Sequence, residues 1–125
     1  MATKKKQATG KKDGGVVKVA LLGFGTVGSS VAKVLAESKF PGIVLTHVYN
    51  RSVARKRESA AAKYVPATAK WTENIDEVLK SDADVVVELM GGLNPVEGWL
   101  KKALSAGKHV VTANKQLIAL VSRVH

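Results

Sequence analysis

The fold is decided by one stretch of the sequence, Val16-Val17-Lys18-Val19-Ala20-Leu21-Leu22-Gly23-Phe24-Gly25-Thr26-Val27-Gly28. Six of its first seven residues are apolar, which is typical of a parallel strand buried on both faces. A GxGxxG turn follows directly. In such turns one glycine makes the tight turn, one lets the backbone approach a pyrophosphate, and one lets the helix pack on the strand. We therefore predict a dinucleotide site, with its phosphates on free N–H groups of the next helix. The predicted contacts are Gly23, Phe24, Gly25, Thr26, Val27 and Gly28.

A glycine-rich turn alone is common, so the flanking sequence carries the prediction. Four apolar residues from the end of the turn onward recur at helical spacing and predict a buried helical stripe. They are Val27, Val31, Val34 and Leu35. A β-rich run at 43–49 then completes a strand–turn–helix–strand unit of roughly 30 residues, the span that this kind of site requires. A glycine loop in another type of α/β domain is the alternative.

Strands and helices continue to alternate along the chain. The predicted elements are a helix from Ser52 to about Lys63, a strand at 67–70, a helix capped by Thr72 with Ile75, Val78 and Leu79 facing inward, and a strand at 84–89. Gly91 and Gly92 end that fourth strand.

A further helix begins at Asn94, with Asn94 as the N-cap, Pro95 at the first helical position and Glu97 reaching back. Its predicted buried stripe is Val96, Trp99, Leu100, Ala103 and Leu104. Gly107 is predicted to end the helix, and residues 108–112 predict a fifth strand that ends at Ala113-Asn114-Lys115. Residues 117–121 predict a last helix.

This alternation predicts a three-layer α/β fold with right-handed crossovers and a parallel sheet. The simplest arrangement is the doubly wound Rossmann order 3-2-1-4-5. Ligands of such sheets bind outside the carboxyl ends of the strands, where the strand order reverses. Three segments should meet there: the turn at 23–28, Gly91-Gly92, and the end of strand five at Asn114-Lys115.

Composition limits the possible functions. A chain of 125 residues is one domain by length and can bury a core. It has no cysteine, and its three histidines, His47, His109 and His125, lack metal-ligand spacing, so we predict no metal site. It has no apolar run of about 20 residues, the length that a membrane span needs, and no signal-peptide pattern. We therefore expect a cytoplasmic protein.

The formal net charge is +10, and its distribution bears on possible partners. Residues 1–15 hold five lysines against one aspartate, and their polar, glycine-containing composition predicts a basic disordered tail before a dinucleotide-binding domain at 16–125. The tail could touch phosphates, but it has no aromatic residue on which bases could stack. We interpret it as a solvated tail and do not expect a nucleic-acid partner.

The second strand bears on the choice of dinucleotide. NAD sites usually place an acid about 20 residues after the glycine turn, where it binds the ribose 2′-hydroxyl. This chain has Asn50-Arg51-Ser52 there, followed by the cations Arg55, Lys56 and Arg57. We predict that Arg51 binds a 2′-phosphate, so NADP is favoured and NAD is possible. For Lys56 and Arg57 a solvated helix face is the simpler interpretation.

Two later segments resemble homoserine dehydrogenase. They are Val85-Val86-Val87-Glu88-Leu89-Met90-Gly91-Gly92 and Ala106-Gly107-Lys108-His109-Val110-Val111-Thr112-Ala113-Asn114-Lys115. The glycine turn is also similar to the cofactor domain of that family, but the segment from Gly107 to Lys115 is much more specific than the turn. The resemblance spans most of the chain. It implies the NAD(P)-binding domain of an oxidoreductase that interconverts L-homoserine and aspartate 4-semialdehyde by hydride transfer.

The resemblance also implies roles for single residues. Gly91 and Gly92 would approach the nicotinamide half, and Lys115 would lie near nicotinamide and substrate. Glu88 stays unassigned, since a carboxylate there could orient a neighbour or accept backbone N–H groups.

Members of this family continue into a domain that supplies substrate contacts, the proton donor and the oligomer interface. This chain stops at His125, so we expect the proton donor to lie beyond His125 and no catalytic residue to lie within the chain. We therefore expect a truncated part of a homo-oligomer that binds NADPH without turnover.

Two other functions remain open. One is a different NAD(P)-linked enzyme, such as an aspartate dehydrogenase or a dipicolinate reductase, whose glycine turns look alike. The other is a nucleotide-sensing or interaction module without catalysis, which the short length and the basic tail permit.

Overall fold

The computed structural model describes residues 15–38, 42–92 and 94–112. Its elements, in chain order, are β1 (Val17–Leu22), α1 (Thr26–Ser38), β2 (Ile43–Tyr49), α2 (Val53–Arg57), a 3₁₀ helix (Ala60–Tyr64), β3 (Lys70–Thr72), α3 (Ile75–Leu79), β4 (Val85–Glu88), α4 (Val96–Ser105) and β5 (His109–Thr112). The segment at 113–115, the predicted helix at 117–121 and His125 lie outside the described residues. No helix in the described part of the chain is long and apolar enough to span a membrane.

The strands form a five-stranded sheet in the order β3-β2-β1-β4-β5, and every pairing is parallel. This confirms the predicted doubly wound order. β1 is the central strand, and its residues Ala20, Leu21 and Leu22 are completely buried. The one charged residue of β1 is Lys18 near its start, where the ammonium reaches the Asp82 carboxylate at 2.7 Å.

The two faces of the sheet carry separate apolar cores. Because side chains alternate along a strand, Ala20 and Leu22 of β1 face one core, and Val19 and Leu21 face the other. The first core is packed by α3 and α4, with Val78, Val96, Leu100 and Ala103 among its buried residues. The second is packed by α1 and the 3₁₀ helix, with Phe24, Ala32, Leu45 and Val48. The chain therefore has the three layers that the sequence predicts.

The predicted helix from Ser52 to about Lys63 is wrong in its extent. α2 ends at Arg57, and a 3₁₀ helix follows at 60–64. Between them Ser59 has an extended backbone (φ −71°, ψ 156°), and its hydroxyl donates to the Lys56 carbonyl at 2.6 Å. Serine side chains compete in this way with the helical hydrogen-bond pattern, so the helix is interrupted.

The third strand and the helix after it are also shifted. The strand lies at 70–72 rather than 67–70, because a turn in which the Ala69 amide donates to the Pro66 carbonyl (3.0 Å) precedes it. Thr72 is the last residue of that strand and not the cap of α3. The cap is Asn74, whose side-chain oxygen accepts from the Asp76 amide at 3.0 Å.

The start of α4 differs from its prediction. Pro95 is the N-cap, without a side-chain cap bond, so Asn94 lies outside the helix. Glu97 does not reach back and instead pairs with Lys101 one turn later, at 3.3 Å. The end is as predicted, because Gly107 follows the helix with φ 86°.

Three residues predicted to be buried are exposed: Val27 (54%), Val34 (56%) and Leu104 (58%). In α1 the buried positions are Gly28 and Ala32, one turn apart on the same face of the helix. Small residues occupy this face because α1 begins against the turn that follows β1. The valines are therefore displaced from the contact face, which hydrophobic spacing alone does not indicate.

Candidate functional site

The first glycine of the turn lies where two loops meet. Gly23 has φ 108°, a conformation that side-chain-bearing residues rarely adopt, and its amide donates to the Tyr49 carbonyl at the end of β2 (2.8 Å). A Cβ atom added at Gly23 would lie 3.0 Å from Met90 Cγ and 3.4 Å from the carbonyl carbon of Leu89. The turn after β1 therefore packs directly against the turn after β4.

The other two glycines of the turn have different surroundings. A Cβ atom on Gly28 would overlap the carbonyl oxygen of Gly23, so only glycine permits this approach of α1 to the turn. Gly25 is exposed, and apart from Gly25 itself and its two chain neighbours no heavy atom of the described residues lies within 4 Å of an added Cβ atom there. The middle glycine thus leaves an open surface above the turn, where a ligand's phosphates could approach the backbone.

The N-terminus of α1 forms the base of this open surface. The first bond of the helix runs from the Ser29 amide to the Gly25 carbonyl (2.9 Å), and the first helical turn of α1 contains no acidic residue. The amides before Ser29 are the ones that an α-helix leaves without intrahelical partners. A 13-residue helix with its positive dipole end here favours an anion.

The side chains of the turn point in different directions. Phe24 is 1% exposed and packs edge to face on Trp71 of β3, with ring centroids 5.0 Å apart. It therefore anchors the turn to the sheet and can offer a ligand only its backbone. Thr26 and Val27 are exposed beside Gly25.

Arg51 is exposed in the loop between β2 and α2, and its neighbours are held by hydrogen bonds. The Asn50 side chain accepts from the Ser52 amide at 2.9 Å, and the Glu73 carboxylate accepts from the Val53 amide at 2.9 Å. Sequence reasoning missed Glu73, because its partner lies 20 positions away and only the pairing of β2 with β3 brings them together. Arg57 is exposed on α2, as expected for a solvated helix face, and lines a cavity of about 210 Å³ with Trp71.

Gly91 and Gly92 form the turn after β4, with φ 81° and 79°. The Glu88 carboxylate, which is completely buried, holds this turn. One of its oxygens accepts from the Met90 amide (2.7 Å) and the Gly91 amide (3.0 Å). The other accepts from the Thr112 hydroxyl at the end of β5 (2.5 Å).

The strand register explains why these segments lie together. Leu22, the last residue of β1, is paired with Tyr49 of β2 and with Glu88 of β4, and Glu88 is paired with Thr112 of β5. The carboxyl ends of four strands therefore lie side by side, with the strand-order reversal between β1 and β4 among them. The structure brings together the glycine turn, the Arg51 loop and Gly91-Gly92.

Three positions that bear on the predicted chemistry are not among the described residues. They are Asn114, Lys115 and His125. The role expected for Lys115 near the nicotinamide therefore stays a prediction. The same holds for a proton donor beyond His125, and His125 itself is assigned no part in the site.

Other charged groups make hydrogen bonds at the amino ends of the strands, opposite the predicted site. The ammonium of Lys108, before β5, donates to the carbonyls of Ser81 (2.6 Å) and Ala83 (2.8 Å), and burial lowers the pKa of Lys108. Near the start of β1, the hydrogen bond from Lys18 lowers the pKa of Asp82. These bonds join the loops at the amino ends of the strands, away from the predicted site.

The family model of the homoserine dehydrogenase NAD-binding domain matches residues 23–125. The chain belongs to the homoserine dehydrogenase family. It is an NAD-binding domain of that family, so its cofactor is a nicotinamide dinucleotide. This membership separates it from the aspartate dehydrogenase and dipicolinate reductase alternatives.

Individual homoserine dehydrogenases agree with this assignment. The chain is 36% identical over 111 residues to that of Bacillus subtilis, covering 83% of this chain and 25% of the relative. It is 36% identical over 121 residues to that of Corynebacterium glutamicum, covering 88% and 25%. The crystal structure from Thiobacillus denitrificans matches with a TM-score of 0.75 and 34% identity, covering 86% of this chain and 26% of that one. The chain thus spans about a quarter of the length of these homoserine dehydrogenases.

Proposed function

We propose that this chain holds the nicotinamide cofactor of an enzyme that interconverts L-homoserine and L-aspartate 4-semialdehyde. The observation that carries the proposal is the contact between the glycine turn and the turn after β4. In this member of the homoserine dehydrogenase family, that contact lies where the strand order of the sheet reverses. The bound cofactor would supply the hydride. The chain's own part is to bind and orient that cofactor.

The proposed roles follow the two halves of the ligand. The turn from Gly23 to Gly28 and the N-terminus of α1 would bind the pyrophosphate, and Gly91-Gly92 would lie beside the nicotinamide half. Lys115 would contribute its charge near nicotinamide and substrate, where it could steady a developing oxyanion. We propose that three features lie outside this chain, in a region that corresponds to the part of the relatives beyond the position of His125. They are the substrate contacts, the proton donor and a homo-oligomer interface.

We propose that the cofactor is NADP, with NAD as the weaker ligand. The support is that the end of β2 leads into Asn50-Arg51-Ser52 with Arg51 exposed, where an NAD site would place an acid. A hydrogen bond to a charged group contributes about 1.5–3 kcal/mol, so Arg51 alone could give roughly a 10-fold to 150-fold preference.

Exchanging the charge of Arg51 tests this preference. Arg51→Asp should weaken NADPH binding at least tenfold more than NADH binding, as measured by calorimetry, because only NADPH carries the 2′-phosphate. Arg57→Asp is the matched control, since Arg57 lies in the adjacent helix and lines a cavity with Trp71; it should change both affinities little. If Arg51→Asp lowers the affinities for NADPH and NADH equally, Arg51 does not bind the 2′-phosphate.

Titration of the 125-residue chain with NADPH, NADH and RNA tests the function itself. We expect binding of the dinucleotides and no oxidation of homoserine. Binding of RNA alone would support an interaction module and would overturn the proposal. Turnover by this chain would contradict the assignment of the catalytic groups to the rest of the enzyme.

A further inference from the structure

The only fully buried acidic side chain among the described residues lies at the strand-order reversal. Glu88 is 0% exposed, although it is the last residue of β4 and lies at the carboxyl ends of the strands, where the cofactor is proposed to bind. Burying a polar side chain is unfavourable unless it is hydrogen-bonded. Glu88 meets this condition, because the Met90 amide, the Gly91 amide and the Thr112 hydroxyl all donate to it.

These three bonds join two segments that border the proposed nicotinamide position. The two amides converge on a single oxygen and fix the backbone immediately before the Gly91-Gly92 pair. The Thr112 hydroxyl connects the same carboxylate to the end of β5, the strand that leads toward Lys115. The turn so held also packs on Gly23 through Leu89 and Met90.

We propose that Glu88 is a positioning residue for the nicotinamide ring. Its carboxylate sets the backbone of Met90 and Gly91 relative to the end of β5, so that the surface which receives the ring is formed before the cofactor binds. Glu88 does not touch the cofactor and acts through the atoms that it holds. This role rests on the proposed function, since it presupposes a nicotinamide ligand at this edge.

A pair of ligands that differ only by the ring separates this role from general stabilisation. NADP contains the nicotinamide ring, and 2′-phospho-ADP-ribose lacks it. Glu88→Leu, which removes all three hydrogen bonds at similar volume, should weaken NADP about tenfold or more and leave 2′-phospho-ADP-ribose within about twofold, as measured by calorimetry on the 125-residue chain. Amide exchange at Met90 and Gly91 in the ligand-free variant should become faster.

Two further variants keep the test decisive if Glu88→Leu does not fold. Glu88→Gln can still accept from both amides and can donate to the Thr112 hydroxyl, so it should retain most of the affinity for NADP. Thr112→Val removes one hydrogen bond to Glu88. Its loss of NADP affinity should lie between those of Glu88→Leu and Glu88→Gln, and its affinity for 2′-phospho-ADP-ribose should not fall. Lys108→Met is the control, a buried charge at the opposite edge of the sheet; it should lower stability but not change the ratio of the two affinities.

The outcomes distinguish this role from the proposed function. If the unmodified chain binds neither ligand, the proposed function fails and the role of Glu88 fails with it. A second outcome is that the unmodified chain binds both ligands while the Glu88 and Thr112 variants lower the two affinities equally, or lower neither affinity. In that case only the role of Glu88 is overturned. Selective loss of NADP, restored by Glu88→Gln, supports it.

Discussion

At the scale of single residues, the three glycines of the turn make separable contributions. A Cβ atom added at Gly25 would meet open space within the described structure. Gly25→Ala should therefore change the free energy of unfolding by less than about 0.5 kcal/mol. The new methyl group would occupy the position where a pyrophosphate approaches the backbone, so dinucleotide affinity should fall at least tenfold. Urea denaturation and calorimetry on the same variant measure the two effects. A Gly25→Ala variant with full affinity would place the pyrophosphate elsewhere.

Gly28 should show the opposite pattern, because its constraint lies within the protein. The Cβ atom of Gly28→Ala would overlap the Gly23 carbonyl oxygen, and overpacking of this kind costs about 1–3 kcal/mol. Gly98 of α4 is the matched control: it is an exposed helical glycine, and an added Cβ atom meets no described atom within 4 Å. Gly98→Ala should raise stability by about 0.5–1 kcal/mol. Equal stability of the Gly28 and Gly98 variants in urea denaturation would contradict the packing derived for α1.

Sequence reasoning at this scale succeeded where a residue's constraint is local. The spacing of the three glycines predicts a turn that the structure contains, and φ 108° at Gly23 shows why glycine stands there. The bonds from the Val53 amide to Glu73 and from the Thr112 hydroxyl to Glu88 are different, because they join residues 20 and 24 positions apart that strand pairing brings together. Their residue types alone could not reveal those bonds.

At the scale of elements, the caps of the short helices are not equivalent. Asn74 makes a side-chain bond at the start of α3, whereas Ser52, at the same position before α2, makes none. Asn74→Ala should therefore lower the free energy of unfolding by about 1 kcal/mol, and Ser52→Ala should change it by less than about 0.5 kcal/mol. Thermal and urea denaturation of the two variants provide the comparison. Equal effects would show that the Asn74 bond does not stabilise the folded chain.

Element types were predictable in the described residues except for the 3₁₀ helix at 60–64, and several element ends were not. The boundaries at Ser59 and Asn74 depend on which hydroxyl or amide competes for a backbone group. Several candidates lie close together there, and Thr72 is, like Asn74, a residue type that is favoured at N-caps. The stripe on α1 was misjudged for another reason: close packing at Gly28 selects small residues for the contact face.

At the scale of the whole molecule, the pH dependence of stability reflects His47. Burial lowers the pKa of His47 below its ordinary value of 6.5, and the nearby charges of Asp82 and Glu77 oppose this effect while those of Lys70 and Lys108 add to it. At His47 the unfolded chain therefore binds more protons than the folded chain as the pH falls through about 6.5, and the contribution of this residue to stability falls with the pH in that range.

Urea denaturation at pH 7.5 and pH 5.5 should therefore show a loss of stability that His47→Gln reduces. The pKa values of Asp82 and Glu77 lie below their ordinary values of 3.8 and 4.5, so those carboxylates act at lower pH and do not interfere. A loss of the same size in His47→Gln would assign the pH dependence to other groups.

The sheet order was the most predictable property of the whole molecule. Alternating strands and helices with right-handed crossovers leave few arrangements, and the reversal beside β1 follows from them. The site itself was predictable as a location, since the carboxyl ends of the strands must meet there. The preference for NADP and the contribution of Lys115 depend on a ligand and on residues outside the described part, so they stay predictions.

The two aromatic pairs give each layer of the molecule its own optical probe. The chain has two tryptophans: Trp71 contacts Phe24 in the glycine turn, and Trp99 contacts Tyr49 across the other core. Since one indole lies on each side of the sheet, their fluorescence can be separated by replacing either with phenylalanine. Emission from Trp71 then reports on the helix layer that begins at the glycine turn, and emission from Trp99 on the layer built by α3 and α4.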